Sequence, residues 1–465
     1  MTTKATRPQP ALEGLQDLGA TLAYDVQTAF NDDTIFFRLS FRSNRGDRHD
    51  FHRFVGGKWQ KEGGSRRDGA ATLAGDAAQG ELGQHSTFYE SRTTFLVNDP
   101  SRAIRAKDFG KHGCYLTCHD GARHMPAWQS SHGFVTKWVA PSNATAATGS
   151  ALDLWHWRAA RSNAIGMADD QSIVVNAAPV AGENGGRRHD AGTKPYGFNE
   201  LVDGHPEHVF DPGTTFGAYA QPASAFWTTP FVHLARPAAA GLGTSVVPTA
   251  MKYTDAVAAG WTPREGDWVP RRILDAPTGS HADIHAAGTR FVPDAIDSDE
   301  GTWIVELQRA LSTGNADDVD LVAGQTYEVG FAVHSHHNTS RDHWVSLPQR
   351  MSLGPAGADL VAIRVAGKGR FPRPDFADGA RFPITRLVLF QPGVASWEFL
   401  TNQDAGKTFS EPATGKVVAS AHPGSVGIGE GKACRDCHDV TGERLPLAVL
   451  SKRRGGVFGP TPRMK

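Results

Sequence analysis

The sequence predicts a mainly β protein: an antiparallel β-sandwich with long loops, a few short helices and a loop-rich C-terminal tail. Three observations lead there. Apolar residues recur at every second position in several separate stretches, which is the period of a half-buried strand. Glycine (51) and proline (28) are plentiful among the 465 residues, which suits turns and loops more than long helices. Beyond one short cysteine motif, no internal repeat, heptad pattern or low-complexity tract competes with that reading.

Taken in order, residues 1–20 read as an N-terminal arm. From Ala23 the chain becomes strand-like, with Val26, Thr28 and Phe30 alternating with polar neighbours. Asn31-Asp32-Asp33 supplies a turn, after which Ile35, Phe37, Leu39 and Phe41 resume the period of two. That is a hairpin with one buried face. Residues 43–85 are charged and glycine-rich and read as loop, with one short strand around 51–55. A strand over 88–97 follows, in which Arg92 reads as a solvated position. The dense apolar stretch 152–159 is another strand. Residues 175–225 read as loop, and 235–259 are rich in small residues without a clear period. Strands at 303–307, 327–333, 360–365 and 384–390 complete the set. The expected division is an arm (1–20), a sandwich (21–365) and a C-terminal extension (366–465).

Charge excludes one class of function. Lys plus Arg (48) nearly cancels Asp plus Glu (49), which argues against nucleic acid as the main partner. No run approaches the roughly 18 apolar residues of a transmembrane segment. The N-terminus, Met1 to Pro8, has no apolar signal-peptide core.

All four cysteines lie in two short runs. The first reads Gly113-Cys114-Tyr115-Leu116-Thr117-Cys118-His119-Asp120, and the second Ala433-Cys434-Arg435-Asp436-Cys437-His438-Asp439. A Cys-x-x-Cys-His run is the attachment signature of c-type haem: two thiols bond the porphyrin's vinyl carbons, and the next histidine falls onto the iron. The second run has the usual two-residue spacer, and the first has three residues between its cysteines. With 20 histidines in 465 residues, a histidine following both pairs by chance is roughly a 1-in-500 event. A four-cysteine zinc site would give no reason for either histidine, and two such small disulfide loops would staple little of the chain. The expectation is therefore two covalent haems, bound through Cys114, Cys118, Cys434 and Cys437, with His119 and His438 as proximal iron ligands. Such attachment takes place outside the bacterial cytoplasmic membrane, which places the protein in the periplasm or another extracytoplasmic space. A leader is then expected to have been removed.

Each iron needs a sixth ligand, whose identity tunes the potential. His156 lies between Trp155 and Trp157, where aromatic rings would shield a haem edge, and is one candidate distal ligand. His52 and Met125 are weaker ones, Met125 reading more simply as packing. His334, His336 and His337 follow a strong strand, so one ring could reach a haem, although an exposed polar loop is the plainer reading. His205 with His208, and His281 with His285, have spacings that chelate a metal on a helix. Their glycine- and proline-rich surroundings disfavour a helix there.

Several separated motifs keep a recognisable order. They run Glu90-Ser91-Arg92-Thr93-Thr94-Phe95, then Asp108-Phe109-Gly110-Lys111-His112-Gly113-Cys114 with Cys118-His119. Next come Leu152-Asp153-Leu154-Trp155-His156-Trp157-Arg158-Ala159 and Gly166-Met167-Ala168-Asp169-Asp170. Gly301-Thr302-Trp303 and His343-Trp344-Val345-Ser346-Leu347-Pro348 close the series. Together they resemble the ethylbenzene dehydrogenase-type haem-binding domain, in the branch with a c-type haem in its first loop. The resemblance covers roughly residues 20–360. It implies a β-sandwich that holds haem at one end and exchanges electrons with a partner. In the molybdenum-enzyme branch the domain is an electron-transfer subunit whose haem b is held by a Met and a Lys. Here the cysteine loop stands in the first ligand's neighbourhood and His343 near the second's, so His343 joins His156 as a distal candidate. That departure favours covalent haem over haem b.

The expected function is electron transfer by a dihaem c-type cytochrome, between a membrane cytochrome or soluble electron carrier and another redox protein. Two alternatives follow from the same residues. One is a haem enzyme acting on a small oxidant or a nitrogen or sulfur compound, in which His124, Arg123 and the His334–His337 loop could provide polar groups beside a vacant or displaceable sixth position. The other is the electron-transfer subunit of a larger, molybdenum-type oxidoreductase.

Overall fold

The computed structural model describes residues 21–63, 89–117, 138–176, 186–214, 217–222, 231–243, 247–296, 298–335 and 344–390, with short paired segments at 410–411, 416–417, 438–439 and 463–464. Its body is one 13-stranded sheet that folds back on itself into two layers. The strands that matter here are β1 (Thr21–Phe30), β2 (Thr34–Asn44), β3 (Asp50–Val55), β4 (Lys58–Gly63), β5 (Arg92–Asn98), β6 (Gly149–Arg158), β7 (Asp169–Val175) and β8 (Arg187–His189). After a region of short strands come β9 (Arg290–Pro293), β10 (Glu300–Ala310), β11 (Thr326–His334), β12 (Trp344–Ser346), β13 (Gln349–Leu353), β14 (Leu360–Arg364) and β15 (Thr385–Phe390).

The order across the sheet is β9-β10-β2-β1-β14-β13-β11-β5-β6-β7-β8, with β15 and β12 forming a second link between β1 and β11. Pairing is antiparallel except at β1–β14 and β13–β14. β3 and β4 form a separate small sheet with the strand Trp268–Pro270.

The expected first hairpin is present. In register, Tyr24 faces Phe41, Val26 faces Leu39, Thr28 faces Phe37 and Phe30 faces Ile35, so the two alternating sets share one face. Asn31 makes the turn, its Oδ1 accepting the backbone N–H groups of Asp33 (3.1 Å) and Thr34 (2.8 Å). That apolar face meets the second layer through aromatic rings. Phe37 lies 4.9 Å from Phe95 and 5.4 Å from Trp155, Tyr24 lies 5.5 Å from Phe331, and Trp157 lies 4.9 Å from Trp303. Offset and edge-on rings at these separations suit the aromatic quadrupole.

Two local expectations are corrected. Residues 58–63 form β4, joined to β3 by Gly56-Gly57, both at positive φ (59° and 76°). Two successive positive-φ residues are what a two-residue hairpin matching the strand twist requires. Arg92 is buried rather than solvated, because β5 is buried along its whole length. One of its faces meets the other layer, and the other is covered by the loop that follows it. The strand expected at 384–390 is present as β15, which pairs with β1 from Thr21↔Phe390 to Val26↔Thr385. Among the described residues no helix is long and apolar enough to cross a membrane.

Candidate functional site

The loop after β5 carries the first cysteine run. A single helical turn, Phe109–His112, leads into a 3-10 turn, Gly113–Thr117. Phe109, Cys114 and Leu116 are buried against Leu96, Leu152, Leu154, Ala332 and Val345, so this turn seals the outer face of β11, β5 and β6. Two glycines permit the close approach. Gly113 sits at φ +56°, with Pro348 tight against the place of a Cβ. At Gly330 of β11, a Cβ would stand 2.9 Å from the Cys114 Sγ. The thiol therefore lies directly on a strand position that has no side chain. The Thr117 hydroxyl donates to the Cys114 carbonyl (2.9 Å) and ties the turn.

Register shows what shares this outer face. Facing residues across the strands are Gly330, Leu96, Leu154, Gln171 and His189 in one row. The next row holds Ala332, Thr94, His156 and Asp169, and the last holds His334, Arg92 and Arg158. His156 is thus two strands across and one repeat along from Gly330, about 12 Å between Cα atoms on ordinary strand spacing.

His156 is 3% exposed. Its Nδ1 lies 3.1 Å from Gln171 Oε1 and 2.9 Å from Arg158 Nη2. Its Nε2 is buried and has no hydrogen-bond partner among the described residues. Burial, reinforced by the Arg158 and Arg92 guanidiniums, holds the imidazole's pKa well below its ordinary value. The ring is therefore neutral, the form in which imidazole ligates a metal. Polar groups that grip one ring nitrogen and leave the other bare are the usual support of a ligating histidine.

The same end of the face concentrates buried charge. Arg158 pairs with Asp169, and Arg161 with Glu90. Arg92 lies over the Tyr89 ring at 4.4 Å, and burial brings its pKa down to about 10. Burial alone would raise the Glu90 carboxyl, but Arg161, His49 and Arg158 outweigh it and bring the group to about 2. Asp169 also receives Gln171 Nε2 (3.0 Å) and stands 2.9 Å from His281 Nδ1 and 3.6 Å from His189 Nδ1.

The opposite face of β6 and β7 holds a second polar group inside the sandwich. Arg309 of β10 places Nη1 2.6 Å from Asp153, 3.4 Å from Asp318 and 3.9 Å from Asp170, and its guanidinium lies 4.7 Å over the Trp155 ring. Asp190 and Asp317 adjoin Asp318. Burial, then neighbouring carboxylates, push Asp170 well up, Asp190 to about 9 and Asp318 to about 7.

Of the residues singled out in the sequence, the structure brings Cys114 and His156 onto one face. Cys118, His119, Arg123, His124, Met125, His336, His337, His343, Cys434 and Cys437 lie outside the described residues. His438 belongs to a two-residue strand paired with Arg463–Met464. His334 is buried at the end of β11, not in an exposed loop. His52 sits in the small separate sheet with Nε2 2.5 Å from the Asn199 carbonyl, and that contact occupies the nitrogen. His205 and His208 lie on extended strands, with His205 stacked on Tyr253 at 4.1 Å. His281 sits in a 3-10 turn and groups with Asp169 and His189 rather than His285.

Sequence reasoning missed Asp169, His189 and the carboxylates around Arg309. One signal was present: Asp169-Asp170 are adjacent in a strand, and alternation sends one to each face.

A family model described as "Ethylbenzene dehydrogenase" matches residues 2–346. No curated protein matches the chain.

Proposed function

The chain belongs to the ethylbenzene dehydrogenase family, and from that premise we propose that it is an extracytoplasmic electron-transfer protein with two covalent c-type haems. One haem is assigned to Cys114 and Cys118 with His119 as proximal ligand, the other to Cys434 and Cys437 with His438. The observation that carries the reading is the seat of Cys114. Its thiol is fixed on Gly330, on the strand face that also bears a buried, neutral imidazole with a bare Nε2.

The residues present fit the group. His156, with His343 as the other candidate, would supply a distal ligand. Arg92 and Arg158, both on the face that carries Cys114, would balance haem carboxylates. Leu96, Leu154 and Ala332 give the apolar floor that excludes water from it. Haem, when bound, supplies the one-electron couple; the chain sets ligation, burial and charge around it. The partners are redox proteins, a membrane cytochrome or a soluble carrier, met through small transient contacts. Family membership favours one second reading, in which the same electron transfer takes place as a subunit of a molybdenum-type oxidoreductase.

Optical and paramagnetic-resonance spectra of the matured chain test the proposal. Low-spin, six-coordinate iron is expected at both haems, and replacing His156 with alanine should convert one to high spin if His156 is the ligand. A high-spin centre in the unmodified protein would instead indicate an open coordination position and a haem enzyme. Co-purification of a molybdenum-containing chain would select the subunit reading.

A further inference from the structure

The carboxylate pocket at the edge of the sheet has no part in the haem reading. It gathers Asp153 from β6, Asp170 from β7, Asp190 just beyond β8, and Asp317 and Asp318 from the loop between β10 and β11. Ligand-capable atoms of Asp153, Asp170 and Asp318 lie within 4.8 Å of one another, and so do those of Asp190, Asp317 and Asp318. Among the described residues the cation paired with this group is Arg309, whose shortest contact is to Asp153 at 2.6 Å. One guanidinium is shared among five carboxyl groups.

A separate observation points to a ligand. Asp190 is 5% exposed, and neither of its carboxylate oxygens has a hydrogen-bond partner. The Ser172 hydroxyl is near it but outside bonding geometry. Asp153 Oδ1, Asp170 Oδ2 and Asp318 Oδ1 are likewise buried without a hydrogen-bond partner. Burying an unmet carboxylate oxygen is costly, and several pointing into one space call for a cation between them.

We propose that this pocket binds a calcium ion, with Asp190, Asp317 and Asp318 as ligands and Asp170 beside them. The donors are all oxygens, with no nitrogen or sulfur, which selects a hard cation. Carboxylates drawn from three separate segments suit the loose, many-oxygen shell of calcium better than the strict octahedron of magnesium. Asp317 is half-buried, which gives the ion a path from solvent and room for water ligands. β8 is a three-residue strand at the end of the sheet. An ion here fastens the end of that strand to a loop from the other layer, so its binding free energy adds to stability.

The test uses the full-length, haem-loaded chain, stripped with a chelator and dialysed. Calorimetric titration with calcium should show one site, and calcium should raise Tm by several degrees. Magnesium at equal concentration should give a smaller shift; an equal or larger one would overturn the assignment to calcium. Asp190→Asn should weaken calcium binding at least tenfold, yet raise Tm without calcium, because it removes the cost of burying an unpartnered carboxyl group. That opposite sign separates a ligand from a residue needed only for folding. Asp317→Asn, at a more open position, provides the same comparison if Asp190→Asn fails to fold. No heat of binding and no Tm shift at millimolar calcium, or an unaltered calcium response in both variants, would overturn the proposal.

Discussion

Replacing Arg309 with methionine is expected to destabilise the fold by about 3–5 kcal/mol, the cost of removing one partner from a buried ion pair. Arg309 is 1% exposed and serves three carboxylates with one guanidinium nitrogen, while Nη2 donates to the Val319 carbonyl at 2.6 Å. Methionine fills similar space over Trp155 but leaves Asp153 and its neighbours without a counter-charge. Denaturant unfolding near pH 7 measures the loss. The deficit should shrink as pH falls, because the stranded carboxylates can then protonate. The unmodified, calcium-free chain should show the same sign. Asp190, pushed up to about 9, and Asp318, to about 7, hold protons in the fold that unfolded carboxyls release above about 3.9. Their contribution to stability is complete below that value and is lost as pH rises toward 9. A loss under 1 kcal/mol on Arg309→Met would mean the cluster neutralises itself with protons alone.

The second large effect is on cofactor content. Cys118→Ala should impair covalent attachment of one haem and Cys437→Ala that of the other, each lowering the pyridine haemochrome yield from two per chain toward one. The double variant should lose both. If both single variants kept the full yield, the two attachment runs would be wrongly assigned.

The parts of the fold that the sequence disclosed are those with one wet face. β2 shows Ile35, Phe37, Leu39 and Phe41 inward, with Arg38 and Ser40 alternating among the last three, and Asn31 supplies turn chemistry in the expected place. β5 and β6 are harder to read, because burial on both faces removes the alternation that marks which residues point inward. Arg92 was misread for that reason: a charged residue in a strand suggests water, and the pattern of a doubly buried strand does not reveal that this side chain lies buried over the Tyr89 ring. The β3–β4 hairpin was legible in Gly56-Gly57 between two apolar-bearing stretches, but the charged setting of Lys58, Lys61 and Glu62 concealed it.

The candidate site divides in the same way. Cys114 announced itself by spacing, and His156 by its tryptophan neighbours. Their sharing of one face depends on β11 lying beside β5 and β5 beside β6, a long-range pairing that no local pattern encodes. Gly330 is the clearest case: in sequence it interrupts a strong strand, and only the packed structure shows that its missing side chain is where Cys114 rests. The carboxylate pocket was illegible because its members come from four separate places in the chain, with Arg309 from a fifth between Asp153, Asp170 and Asp318.

The central claim is that the two cysteine runs carry covalent haem. The most direct measurement is the intact mass of the full chain secreted by a host that matures c-type cytochromes. The account predicts a gain equal to two haems and no titratable thiol. A mass equal to the polypeptide alone, with all four thiols titratable, would contradict it.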